Sequence, residues 1–236
     1  MRRLRAWLTR RWFYDEHQGW HPRYFEWRYS STRSGADVRH QEADAVHRLL
    51  EPCCADAQRV LEIGSGTGSF TSRVAHLVPE LVAVDCSRAM TRFLRRRLAR
   101  SDVTNVILER RCLPDGIADL GRFDGVFAVG VLNYIEAFDE ALRAIAHVLT
   151  PNGWCVLTVP ADNAAGRKYR RDELSTRRRV YLHSDADIRS TAEAAGLHVD
   201  ALELGGEFTR VFRARVAEPG GDSLRRPRRT SPPAGP

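Results

Sequence analysis

Val60-Leu61-Glu62-Ile63-Gly64-Ser65-Gly66-Thr67-Gly68-Ser69-Phe70 is the stretch on which the fold turns. A short apolar run carrying one acid gives way to glycines at alternate positions, and a helical pattern follows. The order reads as strand, tight loop and helix start. Glycine has no Cβ, so alternating glycines let the backbone turn sharply and come close to a ligand. The free N–H groups at the start of the following helix favour a negatively charged ligand group. Such a loop suits a small molecule with an anionic end, such as a nucleoside derivative. It also suits a strand-to-helix turn that binds nothing. The dinucleotide fingerprint G-x-G-x-x-G fits poorly, because Gly68 comes one position early and Glu62 would repel a phosphate-rich ligand. A P-loop fits worse, since no Gly-Lys-Ser/Thr follows.

The next strand narrows the choice. Leu81-Val82-Ala83-Val84 is a buried-type apolar run ending at Asp85, with Cys86-Ser87-Arg88-Ala89-Met90 behind it. In an open α/β sheet, ligands sit outside the carboxyl ends of the strands where strand order reverses, so Asp85 lies beside the first loop. Its two oxygens can accept both hydroxyls of a ribose through charge-assisted hydrogen bonds. Ser87 as a helix N-cap and Met90 as core filler are compatible with that role.

These patterns carry a family resemblance. Glu62-x-Gly64-x-Gly66-x-Gly68 resembles the first motif of the class I S-adenosylmethionine (SAM)-dependent methyltransferases, and Asp85-x-Ser87-x-x-Met90 resembles the second. Val106-Ile107-Leu108 followed by Glu109, then Leu113-Pro114 and Phe123-Asp124-Gly125-Val126-Phe127-Ala128-Val129, keep the family's order. So does Leu149-Thr150-Pro151-Asn152-Gly153-Trp154, which is similar to the joint before the fifth strand. The resemblance covers roughly residues 40 to 215. It implies a Rossmann-like, doubly wound α/β fold: a mostly parallel seven-stranded sheet with an antiparallel last strand and helices on both faces. It also implies SAM as cofactor, leaving as S-adenosylhomocysteine, held by Glu62, Gly64, Ser65, Gly66, Gly68, Asp85, Cys86, Met90, Glu109 and Val129. Met90 would lie against adenine. Glu109 stands where the family usually has an Asp facing the adenine amino group, a departure that lengthens the reach by one methylene. Val131-Leu132-Asn133-Tyr134-Ile135 occupies the fourth-strand exit, which in the family borders the transferring methyl group.

The chain's 236 residues fit one domain with a full core and short extensions. No apolar run nears the ~18 residues of a membrane span. The start, Met1-Arg2-Arg3-Leu4-Arg5-Ala6-Trp7-Leu8, is basic but lacks a signal-peptide core, and Asp15 and Glu16 interrupt any Arg-rich transit pattern. Cys53, Cys54, Cys86, Cys112 and Cys155 show no metal-ligand spacing, and their odd count suits reduced thiols in a cytoplasmic protein. No metal is expected. The net charge of +7 comes almost wholly from arginine, with Lys168 the only lysine. Arginine is spread over helices, loops and tail, which suggests a compositional habit as much as a nucleic-acid surface. The densest clusters are Arg95-Arg96-Arg97, Arg167-Lys168-Tyr169-Arg170-Arg171 and Arg177-Arg178-Arg179.

Residues 1–36 form an aromatic and basic extension, 37–217 the methyltransferase-like domain, and 218–236 a Pro/Arg-rich tail without the apolar content to fold. Nine aromatics fall between Trp7 and Tyr29, and the extension is read as packing on the domain, capping the pocket or lying on a membrane surface. Asp37 to Leu50 has helical periodicity and leads through Glu51-Pro52 into the first strand. Helices are expected from Phe70, over about Ala89 to Ala99, and over Glu136 to Leu149. The fifth strand is expected over Trp154 to Val159, followed by a polar insertion over 160–183 that could act as a lid. Ser184 with Asp187 reads as an N-cap of a helix ending at Gly196. His198 to Leu204 and Glu207 to Val216 read as a hairpin joined by Gly205-Gly206.

Methyl transfer from a sulfonium needs chiefly orientation, worth about 7–11 kcal/mol, and exclusion of water, so a dedicated catalytic side chain is not required. If the acceptor must lose a proton, His183 and Tyr134 are candidates, with His17 and His21 on the aromatic extension; Asn133 is placed to orient the acceptor. The leading reading is methylation of a small organic molecule. Alternatives are an RNA or protein acceptor met by the arginine clusters, and a SAM-binding protein without turnover.

Overall fold

The computed structural model describes residues 22–23, 25–26, 33–175 and 178–217. His17, His21, the aromatic residues of the extension other than Phe25, and the 218–236 tail lie outside the described residues. In chain order the elements are α1 (Arg33–Cys54), β1 (Arg59–Ile63), α2 (Thr71–Val74), β2 (Glu80–Val84), α3 (Arg88–Leu98), β3 (Val106–Glu109) and β4 (Phe123–Ala128). Then come α4 (Phe138–Val148), β5 (Leu149–Pro160), α5 (Ala164–Ser175), α6 (Asp185–Ala194), β6 (Leu197–Leu204) and β7 (Thr209–Val216). Short 3₁₀ turns cover Asp115–Ile117 and Leu132–Tyr134.

The strands form one sheet in the order β3-β2-β1-β4-β5-β7-β6. Pairings from β3 through β5 are parallel, and β7 runs antiparallel between β5 and β6. From β1 the chain steps outward to β2 and β3, then returns to place β4 on the other side. The crevice for a ligand in such a sheet lies at that reversal, where the glycine loop leaves β1.

Period-two alternation sends neighbouring strand residues into two cores. On one face Leu61, Ile63, Val126, Cys155, Leu157 and Phe212 pack with Phe138, Leu142 and Ile145 of α4 and Ile188 of α6. On the other, Val60, Phe127, Trp154, Val156 and Val211 pack with Ala45, Val46 and Leu50 of α1. Gly125 is a packing necessity, because a Cβ there would stand 2.1 Å from the Trp154 ring, which lies across β4. At the start of β1, the Asp124 carboxylate accepts the Gln58 and Arg59 N–H groups at 2.9 and 3.0 Å.

Three local readings change. The α1 helix runs past Pro52 to Cys54, because buried Leu50 and Cys54 hold its last turn on the core although proline contributes no N–H there. It also begins at Arg33, inside the stretch read as extension. The Leu149–Gly153 segment is strand, not a free turn: Phe123 pairs with Leu149 and Gly125 with Trp154, and an irregularity between them absorbs the Pro-Asn-Gly residues. The polar 160–183 insertion contains α5, whose first turn is held by the Asn163 side chain accepting the Gly166 N–H at 2.8 Å. The Ser184 capping box forms with Asp187, and Gly196 ends that segment at φ +80°.

Candidate cofactor and acceptor site

The glycine loop is pinned to the neighbouring strand. Gly64 and Ser65 both donate to the Val84 carbonyl, at 2.7 and 3.0 Å. All three loop glycines hold positive φ, 76°, 54° and 91° for Gly64, Gly66 and Gly68. Their surroundings divide them. A Cβ at Gly64 would stand 2.1 Å from Val131 Cγ2, and one at Gly68 would stand 2.4 Å from Leu94 Cδ1. At Gly66 it would meet nothing closer than the Gly64 carbonyl at 3.9 Å. Gly64 and Gly68 therefore serve packing, while Gly66 faces open space.

Asp85 faces that open side from the end of β2. One carboxylate oxygen accepts the Gly66 N–H at 2.8 Å and the other accepts the Ser87 N–H at 2.7 Å. Each oxygen keeps lone-pair capacity for a further donor. Burial pushes this carboxyl above its ordinary value, opposed by the two N–H bonds. Ser87 also caps α3 by accepting the Met90 N–H, and Met90 in the first turn of that helix is buried. Glu62 is 3 % exposed and accepts from the Thr71 hydroxyl. Desolvation pushes its carboxyl up to about 8, so it is mostly protonated at neutral pH. The helix after the loop is a single turn, shorter than the sequence suggests, so loop amides and carboxylates rather than a helix dipole shape this end of the crevice. Ser65 and Thr67 each bury a hydroxyl oxygen that has no hydrogen-bond partner.

Glu109 ends β3 opposite Val84, and its carboxylate accepts from Arg111 Nε at 2.8 Å. That pairing turns one oxygen away from free use. Cys86 and Cys112 are joined as a disulfide with their Cα atoms 4.8 Å apart, which corrects the expectation of reduced thiols throughout. The residues stand 26 apart in sequence, and the parallel β2–β3 register sets them side by side beyond the strand ends. Cys53, Cys54 and Cys155 are free.

On the other side of the reversal, Val129 leaves β4 and Gly130 donates to the Thr158 hydroxyl at 2.8 Å. Val131 then packs on Gly64, so the 3₁₀ turn carrying Asn133 and Tyr134 starts against the glycine loop. Tyr169 of α5 reaches this turn: Asn133 Nδ2 donates to its hydroxyl at 3.4 Å, and the Tyr134 hydroxyl lies 3.2 Å from it. The Tyr169 ring stacks on Phe208, centroids 4.5 Å apart. Tyr181 donates its N–H to the Asn133 carbonyl at 2.9 Å. His183, two residues on, bridges to Ala161 and rests its ring 4.1 Å from Phe138. Burial lowers the imidazole's affinity for a proton, and its Nε2 is buried without a partner. The structure thus gathers Asn133, Tyr134 and His183 on adjoining segments. Sequence reasoning missed Tyr169 and Phe208; the one signal for Tyr169 was an aromatic among the charges of the insertion.

A family model for a methyltransferase domain matches residues 34–202. The chain belongs to the class I SAM-dependent methyltransferase family. It is 38 % identical over 119 residues to a protein-L-isoaspartate O-methyltransferase of Marinobacter nauticus, covering 50 % of this chain and 52 % of that one. It is 32 % identical over 123 residues to a malonyl-[acyl-carrier protein] O-methyltransferase of Halorhodospira halophila, covering 50 % and 40 %. The chain spans about half or less of the curated relatives it matches. In fold it is similar to magnesium protoporphyrin IX methyltransferase from Synechocystis with bound S-adenosylhomocysteine, at TM-score 0.69 and 17 % identity over 90 % of this chain and 100 % of that one. The family's cofactor is SAM, and the residues of this methyltransferase fit it: an open cradle at Gly66, an acid at Asp85 with acceptor capacity, and two unpartnered loop hydroxyls. Among the described residues no His/Cys/Asp/Glu group could hold a metal ion. No helix there is long and apolar enough to cross a membrane.

Proposed function

We propose that this methyltransferase transfers the methyl group of SAM to a small organic acceptor. The observation that carries the reading is the enclosure of the fourth-strand exit. Tyr169 reaches from α5 to Asn133 and Tyr134, and Asn133 is 7 % exposed. So covered an exit favours a small acceptor over a bulky polymer.

SAM bound at this site supplies a methyl group already activated on a sulfonium. Asp85 would hold the ribose hydroxyls, Glu62 and the Ser65 and Thr67 hydroxyls would face the amino acid end, Met90, Cys86 and Glu109 would border adenine, and Val129 would line the cofactor from the fourth-strand exit. The chain's remaining work is orientation and exclusion of water, and orientation alone accounts for about 7–11 kcal/mol of a barrier in favourable cases. Incubation with methyl-labelled SAM and a cell extract, followed by size fractionation and nuclease or protease treatment, tests the proposal. Label in the low-mass fraction supports it.

A second reading has an observation of its own. Arg170 and Arg171 on the outer side of α5 are exposed and form no ion pair within the described residues, so an anionic polymer could meet them at the rim. Label in a large, nuclease-sensitive fraction, with binding that weakens steeply in salt, would select that reading.

A further inference from the structure

Two buried polar atoms at the acceptor side have no partner, Asn133 Oδ1 and His183 Nε2. Asn133 donates its amide N–H to the Tyr169 hydroxyl, which fixes the side chain so that Oδ1 is the atom left over. A buried acceptor without a donor has given up its hydration with nothing in return, so such atoms are expected to meet a ligand or water. The two residues lie on adjoining segments: Tyr181, two residues before His183, donates its N–H to the Asn133 carbonyl, and the His183 ring packs on Phe138, five residues beyond Asn133. The turn they share starts against the glycine loop at Val131. The surrounding side chains are rings: Tyr134, Tyr169 on Phe208, and Phe138.

We infer that this subsite takes a flat aromatic ring bearing a hydroxyl, with His183 Nε2 receiving the hydroxyl proton and Asn133 Oδ1 accepting from a second donor on the same ring. The inference rests on the reading of the neighbouring loop as a SAM site. Flat rings stack favourably against Tyr and Phe side chains. An aromatic hydroxyl, with an acidity near that of tyrosine at about 10, is within reach of a neutral imidazole. His183 is kept neutral by burial. In the step, the hydroxyl proton passes to His183 Nε2 and the oxygen forms the new O–CH₃ bond. The S–CH₃ bond breaks with its electron pair left on sulfur, and His183 afterwards releases the proton to water. Tyr169 is a positioning residue that acts through Asn133.

The test uses the full chain with methyl-labelled SAM and four probes: 2,3-dihydroxynaphthalene, 2-naphthol, 2-naphthylamine and naphthalene. The expected result is methyl ether formation from both hydroxylated probes, at least tenfold higher kcat/KM for the dihydroxy compound, and no product from the amine or the hydrocarbon. Asn133→Ala should collapse the preference for the second hydroxyl by raising KM while SAM affinity stays unchanged. Tyr169→Phe should shift KM in the same direction by a smaller factor. His183→Gln should lower kcat at least a hundredfold with KM held. Should Asn133→Ala fail to fold, Tyr169→Phe carries the KM comparison alone. Tight SAM binding without methylation of either hydroxylated probe overturns this inference and spares the cofactor reading. Faster methylation of the amine, or a preference unaltered in both Asn133→Ala and Tyr169→Phe, overturns it too. Absence of SAM binding by the folded chain removes both readings together.

Discussion

Gly64, Gly66 and Gly68 look alike in the sequence and differ in what surrounds them. Only the folded chain shows that Val131 and Leu94 occupy the space beside the outer two and that the middle one faces open room. Gly66→Val strains the backbone at φ +54° and fills the open side, so it should cost some stability, and the protein that still folds should bind SAM at least tenfold more weakly, as calorimetry beside circular dichroism will show. Normal affinity in a folded Gly66→Val protein would place the cofactor elsewhere. Asp85→Ala should weaken SAM binding by roughly 1.5–3 kcal/mol, about ten- to a hundredfold, through loss of charged hydrogen bonds. Glu62 gives a pH test. Its carboxyl is pushed up to about 8 from an ordinary 4.5, so the folded state holds this proton more tightly than the unfolded chain. The stabilisation it contributes is complete below the ordinary value and is lost as pH rises through about 8. Thermal melting of the wild type should fall across that window, and Glu62→Gln should flatten that part of the profile. Equal pH dependence in the two proteins would show that Glu62 is not the group responsible. The acids and glycines were legible because their chemistry is carried by residue type and spacing. Glu109's pairing with Arg111 and the Cys86–Cys112 bond were not, since each depends on strand register.

Among the elements, those with strong periodicity or caps read clearly. Residues 123–128 form a strand because they alternate into two cores, and α4 forms beneath it because Phe138, Leu142 and Ile145 share one face. The Ser184–Asp187 capping box was visible as residue types at helix-start spacing. Ser184→Ala should lower stability by about 0.5–2 kcal/mol without changing SAM affinity, measured by urea unfolding and calorimetry. A loss of SAM affinity in that variant would mean that α6 is coupled to the crevice. The α5 helix was hidden for a physical reason: its sequence is polar, and its contacts to the core are few and specific. Buried Glu173 meets Arg178, and Tyr169 meets Phe208 and the Asn133 turn. Periodicity arguments see apolar faces, and this helix has little of one.

At the scale of the whole molecule, strand order decides where chemistry can happen. The reversal between β1 and β4 sets the glycine loop, Asp85 and the Asn133 turn around one crevice at the carboxyl ends of the strands. Alternating strand and helix patterns imply a doubly wound parallel sheet and the Gly205-Gly206 turn implies the reversed last strand, while the strand order itself is seen only in the folded chain. Both follow from rules of chain connection that leave few topologies open. The acceptor was less legible, because it depends on how α5 and residues 181–183 close over the fourth-strand exit, and fold alone does not select among acceptors. Every role assigned to these residues depends on one property of the molecule, that the crevice at this reversal binds SAM. Isothermal titration of the purified chain with SAM and with S-adenosylhomocysteine, repeated on Asp85→Ala, tests it most directly. The wild type should show one saturable site for each ligand, and the variant an affinity about ten- to a hundredfold weaker. A folded wild type that takes up neither ligand, or a variant that binds both as tightly, would contradict it.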